Sequence, residues 1–243
     1  MPAAELRALI ETRVEERLGG RFPAALGWRP RPAAQTAATG IPEVDALTGG
    51  LPRGALTEVC GPGSSGRTAL LLSLLAEFTR RQELCALVDA GDSFDPASAD
   101  SAGIELSRLL WVRCNPGTAA LRCVDQALRA TDLLLSAGGF GLVVLDLGDV
   151  LPVTARRIPL TSWFRFRRAV EETPAALLLL TQEALTGTCA ALTLQLEATL
   201  PAVTAELPHT RLLGGFSVAV EVTRSAFARR PGSGRKAAFA TDL

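Results

Sequence analysis

The sequence predicts an α/β fold: a mostly parallel central sheet flanked by helices and extended by antiparallel strands. Three observations carry this. Continuous apolar runs recur between amphipathic segments of helical period, as buried parallel strands and their covering helices require. One run leads straight into a glycine-rich loop that opens a helix. The last third changes to alternating patterns joined by short turns, the mark of antiparallel strands. With 243 residues, 48% of them hydrophobic, the chain can bury one full domain core and is not a largely disordered protein.

Taken in order, residues 3–18 place Leu6, Leu9, Ile10, Val14 and Leu18 near one helical face, and Gly19-Gly20 ends that helix. A Pro- and Ala-rich stretch follows and reads as a tether. The division is therefore a docking helix in 1–22, a linker in 23–37 and a core in 38–243. Ala55–Cys60 reads as the first core strand and Arg67–Arg80 as an amphipathic helix. Cys85–Asp89 and Leu109–Arg113 are further strands. Thr118–Ser136 is helical, with Leu121, Val124, Leu128, Leu133 and Leu135 as its apolar members. Leu142–Leu147 and Ala176–Thr181 are apolar enough to lie deep in a sheet, with a helix over 161–173 between them. Ala191–Glu197, Thr210–Leu213 and Ser217–Val222 alternate, with Gly214-Gly215 as a turn.

Charge says little: Lys+Arg and Asp+Glu number 25 each, so the balance points to no nucleic-acid partner. Lys236 is the only lysine, and arginine supplies nearly every cation. The five cysteines are odd in number and lack a CxxC pair, which argues for small buried residues rather than a disulfide or zinc framework. There is no charged-then-apolar leader and no apolar run of about 18 residues, so the expectation is a soluble cytoplasmic protein with no membrane partner.

The chemistry sits in Gly61-Pro62-Gly63-Ser64-Ser65-Gly66-Arg67-Thr68. Glycines let successive backbone N–H groups converge on phosphates, the helix N-terminus adds its dipole, and the Thr68 hydroxyl suits Mg²⁺. The phosphate-binding residues are thus Gly61, Ser64, Ser65, Gly66, Arg67 and Thr68. The departure is Arg67, where this loop type carries lysine: a forked guanidinium crowds a cradle shaped for a compact ammonium. In a chain almost without lysine, compositional drift is the competing explanation.

Several further segments, in order, resemble the RecA recombinase core over about residues 38–240. They are Thr39–Leu47 with Gly49–Gly54, the run Val88-Asp89-Ala90-Gly91-Asp92-Ser93-Phe94-Asp95-Pro96, and Ser101–Ile104 with Leu109-Leu110. Leu142-Val143-Val144-Leu145-Asp146 is similar to a Walker B strand, and Leu180-Thr181-Gln182 to the strand-end glutamine that senses the γ-phosphate. The resemblance implies ATP with Mg²⁺ as cofactor, the metal being held by Thr68 and Asp146, with binding weakened or absent here. It also implies that the glutamate activating the attacking water is replaced by Gly91. Asp92 next door is a candidate stand-in, but its shorter side chain points elsewhere. Gly91, Asp92 and Gln182 therefore read as vestiges of a catalytic set.

The loops that line the DNA path in RecA look shortened here, to Pro152–Pro159 and to Glu183–Thr188. Arg156 and Arg157 are either a solvated turn or a residual phosphate contact. Arg224 stands near the position of the family's cross-subunit cation, or is a strand-end charge. Arg229 and Arg230 belong to an arginine cluster around Pro231–Gly234 that suits phosphate, an acidic surface or water. Trp163 and Phe166, beside Arg165, Arg167 and Arg168, fit packing on the sheet better than base stacking. His209 is assigned no chemistry.

A short RecA core with altered catalytic positions is most similar to the ImuA group. These RecA relatives accompany an inactive Y-family polymerase homologue (ImuB-like) and an error-prone polymerase in mutagenic repair. The resemblance implies an accessory protein of the DNA-damage response and translesion mutagenesis. Its partners would be RecA or that polymerase assembly, its DNA contact weak or indirect, and Leu6, Leu9, Ile10 and Val14 its docking or self-association face. The alternatives are an ATP-dependent, DNA-binding RadA-like recombinase and a regulator that binds nucleotide without cleaving it.

Overall fold

A computed structural model describes residues 35–114, 120–171, 173–204, 212–226 and 235–242. The expected N-terminal helix with Leu6, Leu9, Ile10 and Val14 lies outside these, as do His209, Arg229 and Arg230.

Strand β1 (Thr36–Ala37) pairs antiparallel with β2 (Leu51–Pro52), and helix α1 (Pro42–Thr48) lies between them in the chain. The backbone thus enters paired structure at Thr36, inside the stretch read as linker, and Ala37 is buried. The main sheet begins with β3 (Ala55–Cys60), followed by α2 (Arg67–Arg80), β4 (Cys85–Asp89), α3 (Pro96–Ser101), a 3₁₀ turn at Leu106–Arg108 and β5 (Leu109–Arg113). Then come α4 (Ala120–Ala137), β6 (Leu142–Asp146), α5 (Pro152–Ala155), α6 (Leu160–Glu171) and β7 (Ala176–Thr181). Three long strands finish the described chain: β8 (Leu192–Thr204), β9 (Leu212–Ser225) and β10 (Arg235–Asp242). The sheet order is β10-β9-β8-β3-β7-β6-β4-β5. From β8 to β5 all neighbours are parallel, and β9 and β10 add antiparallel.

The continuous apolar runs exist because both sheet faces are covered. In β6, Leu142 and Val144 enter one core with α1 and α2, while Val143 and Leu145 enter a second with α4 and α6. In β7, Leu178 and Leu180 take the first side, Leu177 and Leu179 the second. Each fully buried leucine contributes about 1.5–3 kcal/mol. Trp163 and Phe166 are buried in the second core with ring centroids 6.0 Å apart, so they pack and do not stack bases.

Three expectations need correction. Leu133 is 71% exposed and Leu121 also faces out, while Leu134 is buried. The inner stripe runs Val124, Ala127, Leu128, Thr131, Leu134, Leu135, and at 100° per residue Leu133 falls outside it. Gly214-Gly215 makes no turn: β9 runs through both, and the register shift between Ala202 and Val203 absorbs Gly214 as an extra residue. Finally, β10 had no counterpart in the sequence reading, although Phe239 is buried in the first core.

All five cysteines are buried and none is in a disulfide. Burial pushes the Cys60 and Cys85 thiols up to about 12. Among the described residues, no helix is long and apolar enough to cross a membrane.

Candidate nucleotide-binding site

The glycine-rich loop leaves the C-terminal end of β3, in mid-sheet, where its position is fixed from both sides. The Gly61 N–H donates to the Thr181 carbonyl of β7 at 3.2 Å, and Ser65 N–H closes the loop on the Pro62 carbonyl at 3.2 Å. Gly66 has φ +93°, and a Cβ there would lie 2.4 Å from Val218 Cγ2 of β9. A Cβ on Gly61 would meet the Leu196 carbonyl oxygen at 2.5 Å. Both positions therefore demand glycine, one for its dihedral and both for space. The antiparallel extension thus walls the loop, a relation that the linear motif does not contain.

Arg67 opens α2. Its Nη2 donates to the Gly148 carbonyl at 3.3 Å, whereas Nε and Nη1 are buried with no hydrogen-bond partner. Ser65 Oγ is buried and unpartnered as well. Buried donors without acceptors cost about 1–3 kcal/mol each, and the first-turn N–H groups of α2 have no intrahelical acceptor. This donor set fits an anion with several oxygens, and a nucleotide phosphate is such a group.

The fit to a divalent metal is poor. Asp146, at the end of β6, accepts from Gly148 N–H at 2.8 Å through Oδ1. Burial raises its carboxyl to about 6; the Gly148 N–H and Arg67 oppose the rise, and Asp89 and Asp149 add to it. A Cβ on Gly148 would meet Arg67 Nη1 at 2.5 Å and Asp146 Oδ1 at 2.9 Å. Guanidinium and carboxylate thus border the same small space, and an ion on Asp146 would face a fixed positive charge. Thr68, the second expected metal residue, is exposed on the first turn of α2.

Gly91 follows β4, and a Cβ there would lie 2.8 Å from Asp149 Cβ and 2.9 Å from Asp149 Oδ2. The room a side chain at 91 would need is already filled by this carboxylate, which belongs to the turn after β6. Asp149 was missed by sequence reasoning, since nothing in its local pattern marks it. Asp92 turns away: its two oxygens take Arg113 Nε and Nη2 at 2.6 and 2.7 Å, and that pairing holds its carboxyl below the usual range. Asp89 fixes the turn by accepting from the N–H groups of Gly91, Ser93 and Phe94 and from Trp111 Nε1.

Gln182 sits at the end of β7 and donates through Nε2 to the Gly148 carbonyl at 3.0 Å, so that one oxygen receives both Gln182 and Arg67. The loop after it is anchored by Glu58, 1% exposed in mid-β3. Glu58 accepts from Leu185 N–H at 2.6 Å and Thr186 Oγ1 at 2.6 Å. Arg156 pairs with Glu183 across the two short loops, and Arg157 is exposed. Arg224, half-buried at the end of β9, donates through Nε to the Ala190 carbonyl at 3.0 Å and through Nη2 to that of Thr188 at 3.4 Å.

Fold, loop and strand-end residues together define an α/β domain built around a P-loop motif. The RecA N-terminal domain family matches residues 7–155, more than half of the chain, and the chain belongs to that family. It is 34% identical to Protein RecA of Rickettsia canadensis over 135 residues, 55% of this chain and 37% of the relative. It is 38% identical to Protein RecA of Synechococcus elongatus over 123 residues, 50% of this chain and 35% of the relative. The chain thus spans little more than a third of the length of these curated relatives. The crystal structure of the RadB recombinase shares the fold, with a TM-score of 0.61 at 20% identity, covering 84% of this chain and 96% of that one.

Proposed function

We propose that this protein is a RecA-family accessory factor of the DNA-damage response and translesion mutagenesis, of the ImuA kind. It holds a nucleotide without turning it over efficiently and works through protein contacts, with RecA or with a polymerase assembly containing an ImuB-like subunit. The observation that supports this most is the occupied space at Gly91. Phosphoryl transfer to water needs an oriented nucleophile, yet Asp149 blocks a longer carboxylate there and Asp92 is engaged by Arg113. The loops expected to contact DNA are held by their own chain, through Glu58 and through the Arg156–Glu183 pair. That favours weak or indirect DNA contact, with Leu6, Leu9, Ile10 and Val14 as the docking face.

The test is capture of purified RecA and of an ImuB-like protein by the full chain and by a chain lacking 1–22, with phosphate release measured alongside. The reading expects one partner to be retained by the full chain only, and release far below that of RecA on single-stranded DNA. Equal capture by both forms removes the helix from the account.

A second reading, an ATP-dependent RadA-like recombinase, is favoured by one observation: Asp149 presents a carboxylate beside Gly91. It expects DNA-stimulated phosphate release that Asp149→Asn abolishes.

A further inference from the structure

We propose that the Arg67 guanidinium takes over the charge role of the divalent cation, so that this site binds nucleoside triphosphate without magnesium. The inference rests on the nucleotide-binding reading above and adds to it how the phosphate charge is neutralised.

Four observations converge. Arg67 leaves Nε and Nη1 buried without acceptors, one on either side of the guanidinium, so donors remain for phosphate oxygens after Nη2 is spent on Gly148. Its orientation is set by Nη2 donating to the Gly148 carbonyl, which Gln182 also engages. Gly148 is the residue type that permits this, since a Cβ there would stand 2.5 Å from Nη1. Lastly, Asp146, which would have to recruit a metal, spends Oδ1 on Gly148 N–H and borders the same space as the guanidinium. A guanidinium keeps its charge at every physiological pH and is less strongly hydrated than an ammonium, so it can stand dry against phosphate where Lys would lean on a metal. Drift from lysine to arginine explains the residue type but not the glycine opposite it.

The experiment is titration of the full chain with a fluorescent ATP analogue, in excess magnesium and in EDTA, for the wild type and Arg67→Lys. The wild-type Kd is expected to change by less than about threefold on removing magnesium, whereas Arg67→Lys should bind at least about tenfold more tightly with magnesium than without it. A larger wild-type loss in EDTA overturns the proposal while leaving nucleotide binding intact, and that arm decides even if the variant is unstable. A folded Arg67→Lys without magnesium dependence overturns it too. Absence of saturable wild-type binding in both media removes the nucleotide reading itself, and the proposal with it.

Discussion

Arg67 and Gly148 touch across the mouth of the site, the guanidinium donating to the carbonyl at 3.3 Å. The contact joins the phosphate loop to the turn after β6. Because Gln182 donates to the same oxygen, the loop cation and the strand-end amide share one acceptor. An oxyanion entering the loop has Nε and Nη1 of Arg67 to meet, while Nη2 stays on the carbonyl that Gln182 also holds.

Restoring a catalytic carboxylate takes more than one change. Gly91→Glu introduces a Cβ that would lie 2.8 Å from Asp149 Cβ, and overpacking of this kind costs about 1–3 kcal/mol. Arg67→Lys with Gly91→Glu should therefore melt early and release little phosphate. Adding Asp149→Ala should recover the stability and raise phosphate release at least about tenfold. Thermal melts and phosphate-release assays on the three combinations check this, and a double variant as stable as the wild type would contradict the steric account.

Glu58 holds the loop after β7 to the middle of the sheet. Glu58→Ala leaves the Leu185 N–H and the Thr186 hydroxyl without their acceptor, and should cost about 3 kcal/mol in denaturant unfolding. Glu58→Gln, which keeps one carbonyl oxygen, should cost less than half as much. A loss below about 1 kcal/mol for the alanine variant would show that the loop finds other partners.

Much of the fold was legible in the sequence because burial on both faces writes itself as unbroken apolar runs, as in Leu142–Leu145 and Ala176–Leu180. The phosphate loop was legible because its glycines are close together in sequence. What could not be read depends on neighbours distant along the chain. Asp149 matters only because β4 and β6 are adjacent and parallel, pairing Asp89 with Asp146, which brings the turns after both strands together. Arg224 resembled a free charge until the carbonyls of Thr188 and Ala190 came beside it. Gly214-Gly215 carries the local signature of a turn, but the pairing of β9 with β8 on both sides of it overrides that preference.

Gly66 offers a test of the wall that β9 builds around the loop. Gly66→Ala meets two penalties, the positive φ and the approach to Val218 Cγ2 at 2.4 Å. The dihedral alone costs about 1 kcal/mol or more, and the clash adds about 1–3 kcal/mol. Val218→Ala in the same chain should return the second part and leave the first. A double-mutant cycle in urea should thus give a coupling above about 1 kcal/mol. Strict additivity would mean that Val218 does not press on the loop.

Stability should depend on pH through Asp146, whose carboxyl is raised from 3.8 to about 6, chiefly by burial. A carboxyl raised on folding binds its proton more tightly in the native state. Its contribution is therefore fully present below about pH 4 and is lost as pH rises through about 6. Asp146→Asn retains the oxygen that accepts from Gly148 N–H but does not titrate, and it removes the repulsion from Asp89 and Asp149. Without nucleotide, the variant should be more stable than the wild type at pH 7.5, on the order of 3 kcal/mol. The gap should close towards pH 4. Unfolding of both proteins across that range measures it directly. A difference that stays constant with pH would place the Asp146 proton elsewhere, and a wild type more stable at pH 7.5 would mean that Arg67 pairs with this carboxylate more strongly than burial opposes it.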